Sequence, residues 1–382
     1  MRRLGAVCAG LLALVATPAA AQETGLRGVW QGTVGNLPVH ACFNGEDGDG
    51  VYYYDRHKLL IGLLNEEGVF AERIGYDDPG EANWRMTAIE GGSASGTWQE
   101  GARALPITLQ RLEWEQGREL ASPCESMAFM GPRLSGGRIE SAPGEIAGQA
   151  YTVLRYVPPA HFDEEDVAIS TFALVSSVRS DVLVNQQLAF DLPRGDVSDD
   201  YAQCFGMHAA FRGLDGYFYK EVRPEVLTER WVGAIEHNSL YCGGAHPSHW
   251  SLRRVYDRYY GTQVQAQQWL NDRALDREII SEGFVFATVS KAFMPVLLGN
   301  WYDLPEGSPE GDVAHRTECI EIAGRTPNWD VGLAEDGSGL AFIPGVPHAA
   351  TPCAETVVVP WDDLSPFLTI EGQAVASTFV SP

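Results

Sequence analysis

Short runs in which apolar and polar residues alternate, separated by Gly, Asp and Asn, fill residues 22–114. Residues 28–34 alternate in this way and are followed by a Gly-Asn turn, and the runs 51–54, 95–99 and 105–112 repeat the pattern. Alternation with a period of two between turn residues is typical of half-buried strands. We therefore predict a small antiparallel β domain, either a sheet or a barrel, over residues 22–114.

Strand and helix patterns mix in residues 144–382, which a loose stretch rich in Gly, Pro and Ser, residues 115–143, connects to the first domain. The longest helical pattern covers 276–298, where apolar residues recur at about helical spacing. Pro295 is expected to kink or end that helix. A hairpin is predicted over 330–343, where turn residues separate two apolar runs. Together these patterns predict an α+β domain over residues 144–382.

Residues 1–21 have the pattern of a cleavable signal peptide, because Arg2 and Arg3 precede an apolar run and small residues occupy Ala19 and Ala21. The apolar run is too short to span a bilayer as a helix. No later stretch approaches the length of an apolar membrane helix. We predict cleavage after Ala21 and a periplasmic or secreted protein without a membrane span.

Six cysteines follow the predicted signal peptide. Zinc sites usually contain closely spaced cysteines such as C-x-x-C, and no such pair occurs here. An oxidising compartment favours disulfides instead. Six cysteines allow many pairings, but pairing in chain order keeps each bridge within one apparent structural unit. The predicted bridges are Cys42–Cys124, Cys204–Cys242 and Cys319–Cys353.

The chain is strongly acidic, with 27 Lys and Arg against 51 Asp and Glu and a formal net charge of −24. Loss of residues 1–21 removes two arginines and no acid, so the remaining charge is 25 minus 51, or −26. Nucleic acids and anionic lipids are bound by basic surfaces, so we expect neither as a partner. A cationic partner would be attracted over long range.

Common catalytic motifs are absent, including G-x-S-x-G, the Walker A loop, G-x-G-x-x-G and H-E-x-x-H. One close histidine pair, His246 and His249, could bind a metal with Asp257 as a third ligand, and Ser239, His246 and Asp257 could form a triad. Neither arrangement is favoured, because Pro247 disfavours a helix, and on a strand the two rings would point to opposite faces. We expect no catalytic residue, no metal and no cofactor.

Residues 238–247, Asn-Ser-Leu-Tyr-Cys-Gly-Gly-Ala-His-Pro, resemble the C-terminal domain of the RsiV family, as do residues 256–261 and the closing segments 339–350 and 357–368. The family comprises extracytoplasmic regions of anti-sigma factors and related exported proteins. The resemblance covers roughly residues 150–370. One turn departs from the family pattern, since here Gly precedes Thr. The resemblance implies an α+β domain and, by analogy with the anti-sigma members, binding of lysozyme, a cationic protein.

The candidate ligand site is the segment that carries the resemblance, with Tyr241, Gly243, Gly244, His246 and His249. An alternative interpretation is a tight bend in a sheet with a structural histidine, because glycine permits positive φ and close backbone approach. The sequence favours a binding module for a cell-envelope ligand or a cationic protein such as lysozyme. Two alternatives are an envelope hydrolase with a nonstandard site near His246 and a structural envelope protein without a ligand.

Overall fold

Strands outnumber helices in the computed structural model, which describes residues 25–44, 48–74, 79–114, 122–163, 165–214, 216–281, 284–301 and 309–380. The predicted signal peptide, residues 1–21, lies outside these ranges. The fold is mostly β with some helices, and its first part is a closed barrel.

Eight antiparallel strands form the barrel, each paired with the next, and β8 closes it by pairing with β1. The predicted antiparallel β domain is therefore present as a barrel rather than an open sheet. The strands are β1 (Gly28–Val34), β2 (Leu37–Phe43), β3 (Gly50–Tyr54), β4 (Ile61–Glu66), β5 (Val69–Arg73), β6 (Pro79–Glu90), β7 (Ser93–Glu100) and β8 (Arg103–Leu112).

A buried carboxylate, Glu72, lies inside the barrel among aromatic side chains. Its Oε1 accepts hydrogen bonds from the hydroxyl of Tyr52 at 2.6 Å and from the indole N–H groups of Trp98 at 2.7 Å and Trp84 at 3.1 Å. Burial, with the adjacent Glu72 carboxylate, raises the pKa of Tyr52 well above its usual range. A charge in an apolar interior is costly unless it is hydrogen-bonded, so these three donors are what allow the carboxyl group to lie there.

The second part of the chain forms a seven-stranded sheet with the order β15-β14-β13-β12-β11-β10-β9. Neighbouring strands are antiparallel except β11 and β12, which are parallel because helices α2 and α3 lie between them in the chain. Helix α1 (Met127–Leu134) precedes the sheet. The sheet elements are β9 (Arg138–Ile146), β10 (Gln149–Val157), β11 (Val167–Leu174), α2 (Arg179–Ala189), α3 (Asp200–Arg212), β12 (Tyr217–Leu227), β13 (Trp231–Tyr241), β14 (Ser248–Asp257) and β15 (Thr262–Val264).

The C-terminal unit packs against one face of this sheet around buried tryptophans. In its described part it contains a two-stranded hairpin, a three-stranded antiparallel sheet and four α-helices. Its elements are β16 (Leu275–Ser281), β17 (Phe284–Val289), α4 (Met294–Gly299), α5 (Glu310–Gly324), β18 (Trp329–Leu333), β19 (Gly339–Pro344), β20 (Val357–Pro360), α6 (Trp361–Leu364) and α7 (Ile370–Val380). The hairpin predicted over 330–343 is confirmed as β18–β19.

The helix predicted over 276–298 is wrong for most of its length. Residues in this range form the β16–β17 hairpin, and only α4 at the end is helical. The segment is dense in Ile, Val, Phe and Thr and contains Gly283, a composition that favours strands over a helix interior. Pro295 lies in the first turn of α4 and therefore begins a helix instead of ending one.

One hydrophobic core joins the barrel to the second sheet, with α1 between them. Tyr53 on β3 is fully buried, its ring lies 5.2 Å from that of Phe129 on α1, and its hydroxyl donates to the Phe129 carbonyl at 2.9 Å. Arg133 is also fully buried, donates to the Lys58 carbonyl at 2.9 Å and lies 4.9 Å from the ring of Phe162. The stretch 115–143, expected from its sequence to be a loose connection, thus contains α1 and the start of β9.

Three disulfides are present, and they join the cysteines in the predicted pairs, Cys42–Cys124, Cys204–Cys242 and Cys319–Cys353. Their presence is consistent with an oxidising compartment. None of the helices within the described ranges is long and apolar enough to cross a bilayer.

Replacing Glu72 with Ala is expected to lower the free energy of unfolding by about 3–6 kcal/mol, because three buried donors lose their acceptor. Glu72→Gln keeps an acceptor oxygen and should cost less. The exposed Glu66 of β4 supplies the control, with Glu66→Ala within about 0.5 kcal/mol of wild type. Denaturant titration measures all three variants, and equal midpoints for Glu72→Ala and wild type would contradict the assigned role.

Peptide mapping without reduction should recover the three predicted disulfide-linked pairs and no free thiol among these six cysteines. Replacing both Cys204 and Cys242 with Ser is expected to lower the free energy of unfolding by about 2–4 kcal/mol, because the unfolded chain loses a constraint. Chemical denaturation of the oxidised double variant measures this loss. A differently linked pair in the mass spectrum would overturn the assignment.

Candidate functional site

A tight bend connects β13 to β14 at the segment that carries the family resemblance. Gly243 and Gly244 have φ values of +95° and +94°, a region that residues with a side chain rarely adopt. The Tyr241 hydroxyl donates to the Gly244 carbonyl at 3.2 Å, and Cys242 is tied to α3 through its disulfide with Cys204. The glycines therefore serve the bend, and the fixed loop presents His246 at the surface.

The two histidines of the motif meet a third one from the C-terminal unit. The His246 and His348 rings stack with centroids 4.0 Å apart and an interplanar angle of 9°. The ring of His249, near the start of β14, lies 6.3 Å from that of His348 at 14°. All three side chains are exposed. The structure therefore brings the predicted residues His246 and His249 into one surface cluster with His348.

Asp257 does not belong to this cluster. It ends β14, about 26 Å from His249 along the strand. Its carboxylate accepts hydrogen bonds from the Arg230 side chain at 3.0 Å and from the Tyr259 N–H at 2.8 Å. Both hypotheses that used Asp257, a metal site with the histidine pair and a triad with Ser239, are therefore incompatible with the fold.

The outer edge of β14 is open over most of its length. β15 pairs only with residues 255–257, and elsewhere in the described chain no strand pairs with the outer side of residues 248–254. The Arg253 N–H points outwards, since it donates to the Asp330 carboxylate of β18. Backbone direction alternates along a strand, so the N–H and C=O groups of Ser251 and His249 face the same outer edge.

Large apolar side chains flank this open edge. Trp250 and Leu252 are each 40% exposed, and residues 248–252, Ser-His-Trp-Ser-Leu, contain no Lys, Arg, Asp, Glu or Pro. Natural edge strands are usually protected by charged residues or proline. The opposite edge strand of this sheet, β9, has that protection, with two Glu, one Arg and one Pro among its exposed residues. The two edges differ in the way expected if β14 receives another chain.

A groove runs beside the open edge. It consists of two clefts of about 350 Å³ and 700 Å³ that share Leu252 and Asp330. The smaller cleft begins at His249 and Trp250, and the larger one ends at Phe190, which is 71% exposed. We call this feature the β14 groove. Residues 249–254 extend over about 17 Å, which is enough to align a short extended peptide.

Asp330 lies where the two clefts meet and is half-buried. Burial raises its pKa to about 6, although the bond from the Arg253 N–H opposes the shift. The Arg253 guanidinium, whose charge also lowers the pKa of Asp330, is bound to Glu225, and within the described residues no salt bridge is formed by Asp330. Above pH 6 the groove therefore contains a desolvated carboxylate that lacks a bound cation.

A second group of charges, which we call the ionic cluster, closes the inner side of the groove. It comprises Asp191, Lys220, Glu236 and Arg254, all largely buried. Arg254 binds Asp191 through two hydrogen bonds of 2.6 and 3.1 Å and also contacts Glu236, while Lys220 lies 2.8 Å from Asp191 and 3.7 Å from Glu236. Burial disfavours the charge on Arg254, but the two carboxylates outweigh it and raise the pKa of Arg254. Among these four buried groups two cations and two anions balance, and Lys220 also donates a hydrogen bond to the exposed Asp200 at 3.3 Å.

Three residues that shape the site were not identified from the sequence: Trp250, Asp330 and His348. Trp250 directly follows His249. The lack of charged residues and proline around Trp250 could have indicated from the sequence that it belongs to a binding surface. Asp330 and His348 belong to the C-terminal unit, and only its packing against β14 brings them to the motif.

Comparisons with known proteins add structural neighbours but no family. No family model matches the chain, and no curated protein matches it. A DUF3298 family protein from Pseudomonas aeruginosa aligns at 15% identity and a TM-score of 0.33, over 62% of this chain and 95% of that one. A member of the same family from Bacteroides fragilis aligns at 11% identity and a TM-score of 0.37, over 64% and 99%. Similarities this low carry no argument about function.

Proposed function

We propose that this chain is an exported binding protein that takes an extended, cationic polypeptide segment along the β14 groove. The observation that carries the proposal is the open edge of β14, flanked by exposed Trp250 and Leu252. A peptide that adds to a sheet edge gains main-chain hydrogen bonds, and alternate side chains enter neighbouring clefts. A lysozyme-like protein of the cell envelope is the partner that the family resemblance suggests.

The charges support a basic partner over an acidic one. The formal net charge of −24 attracts cations over long range. Within the groove the ionic cluster is balanced, so Asp330 is the carboxylate that remains for a ligand cation. A lysine or arginine of the incoming segment would compensate its desolvation, which favours that segment over a neutral one.

Ser251→Pro is expected to weaken lysozyme binding at least about tenfold, because proline removes the outward N–H and its ring obstructs an added strand. The lost N–H faces away from β13, so the β13–β14 pairing is retained. Ser251→Ala is the matched control, since it also lacks the hydroxyl that contacts His237. Biolayer interferometry at low and at physiological ionic strength measures the affinity.

Equal affinities of the Ser251→Pro and Ser251→Ala variants would show that the edge is not used. Absence of lysozyme binding at both ionic strengths would remove lysozyme as the partner. An alternating Lys-Val peptide, measured against the same two variants, then tests the groove directly, and absence of peptide binding would end the proposal.

Lowering the pH through about 6 should weaken binding about three- to tenfold, because Asp330 takes up a proton and loses its attraction for a cation. Asp330→Asn keeps an oxygen for the Arg253 N–H and should bind weakly throughout. The difference between the two titrations isolates the contribution of Asp330. Parallel pH profiles of wild type and Asp330→Asn would show that this carboxylate does not contact the ligand.

A further inference from the structure

We propose that His246, His249 and His348 form a binding site for a divalent transition-metal ion of the zinc–copper group. This proposal does not rest on polypeptide binding, although His249 also lines the smaller cleft of the β14 groove. The proposal is based on three exposed imidazole rings that come from two distant parts of the chain and lie close together. The ring centroids of His246 and His249 lie 4.0 and 6.3 Å from that of His348.

The hydrogen bonding of His246 fits a metal ligand. Its Nδ1 donates to the Pro247 carbonyl at 3.1 Å, so in the neutral ring the lone pair is on Nε2. A bond from one ring nitrogen to a backbone carbonyl is the usual way in which a protein orients a histidine ligand. For the rings of His249 and His348, no hydrogen bond is found within the described part of the chain, so each has a nitrogen lone pair available.

Coordination requires the three rings, which already lie side by side, to rotate until one nitrogen of each points to a common centre. Zinc binds imidazole nitrogen at about 2.0–2.1 Å, so two nitrogens on one tetrahedral ion lie about 3.3 Å apart. The stacked rings must turn from their parallel arrangement to converge on one ion. All three side chains are exposed, so alternative rotamers are open to them at low energetic cost.

The backbones that carry the rings are held more firmly than the rings themselves. His246 follows the bend that the Cys204–Cys242 disulfide fixes, and His249 belongs to β14. His348 begins a short 3-10 helix, His348–Cys353, whose last residue is bound to Cys319. The three positions are thus pre-arranged, which lowers the entropic cost of assembling a site.

The donor set indicates which ions would bind. Imidazole suits zinc, copper and nickel, whereas calcium and magnesium prefer oxygen ligands. Three histidines leave one position of a tetrahedral ion for water or another ligand atom. We therefore expect zinc and copper to bind and calcium not to bind.

Isothermal titration calorimetry of the tag-free, oxidised protein with zinc chloride tests the site. We expect saturable binding of one ion per chain, at least about tenfold weaker in His348→Ala and in His249→Ala. His57→Ala, in the barrel, is the matched control and should bind as wild type does. Copper electron paramagnetic resonance should show nitrogen coordination that falls by one imidazole in each site variant.

Thermal unfolding of the variants establishes that they are folded before binding is compared. Unsaturable zinc uptake by the wild type would overturn the proposal. Equal zinc affinities of the wild type and the folded His348→Ala variant would also overturn the proposal. The same holds if His57→Ala loses as much zinc affinity as the site variants do. Loss of nitrogen coordination in the site variants alone would support it.

Discussion

β15 pairs with only three residues of β14, and the groove depends on that short pairing. A strand edge must be paired, covered or left open to solvent and partners. Here the Asp330 carboxylate of β18 accepts a hydrogen bond from the outward N–H of Arg253. The C-terminal unit packs against β14 in this way without adding a strand to its sheet. The β14 groove lies beside this edge, with the C-terminal unit lining its smaller cleft and α2 lining its larger one.

The buried charged side chains differ in whether an opposite charge is bound to them. Under the proposed function, this difference decides which carboxylate would attract a cation of the ligand. In the ionic cluster each of the two cations contacts both buried carboxylates, and Lys220 also contacts the exposed Asp200, so removing any one of the four buried groups would leave a net buried charge. Asp330 lies nearby, but its nearest guanidinium, that of Arg253, is bound to Glu225. A cation entering the groove therefore gains more at Asp330 than at the cluster.

Local patterns allowed correct predictions where structure is determined locally. The barrel strands alternate because one face packs inside against Trp30 and Trp84. Chain-order pairing of the cysteines succeeded although the bridges span 82, 38 and 34 residues, because each bridge joins elements that lie against each other in the fold. The segment 276–298 shows the limit. Its apolar spacing fits a helix, yet β-branched and aromatic residues pair as β16–β17, so periodicity alone could not distinguish the two. The site was predicted only as far as the histidine motif, since Asp330 and His348 reach it through tertiary packing.

The open edge itself follows from a packing constraint that lies elsewhere in the chain. After Val264 the chain leaves the sheet, and Trp269 becomes fully buried with its ring 5.3 Å from that of Trp231. Burying a tryptophan contributes roughly 4–6 kcal/mol at about 25 cal/mol per Å². For Trp269 about 1–3 kcal/mol of this is lost, because its buried indole N–H has no hydrogen-bond partner among the described residues. Continuing β15 along β14 would add hydrogen bonds worth only about 1 kcal/mol each, net of those made to water. Trp269 is one of many buried residues in the core of the C-terminal unit, and this core as a whole favours the observed path over edge pairing. Within the described chain no strand therefore pairs with the outer side of residues 249–252.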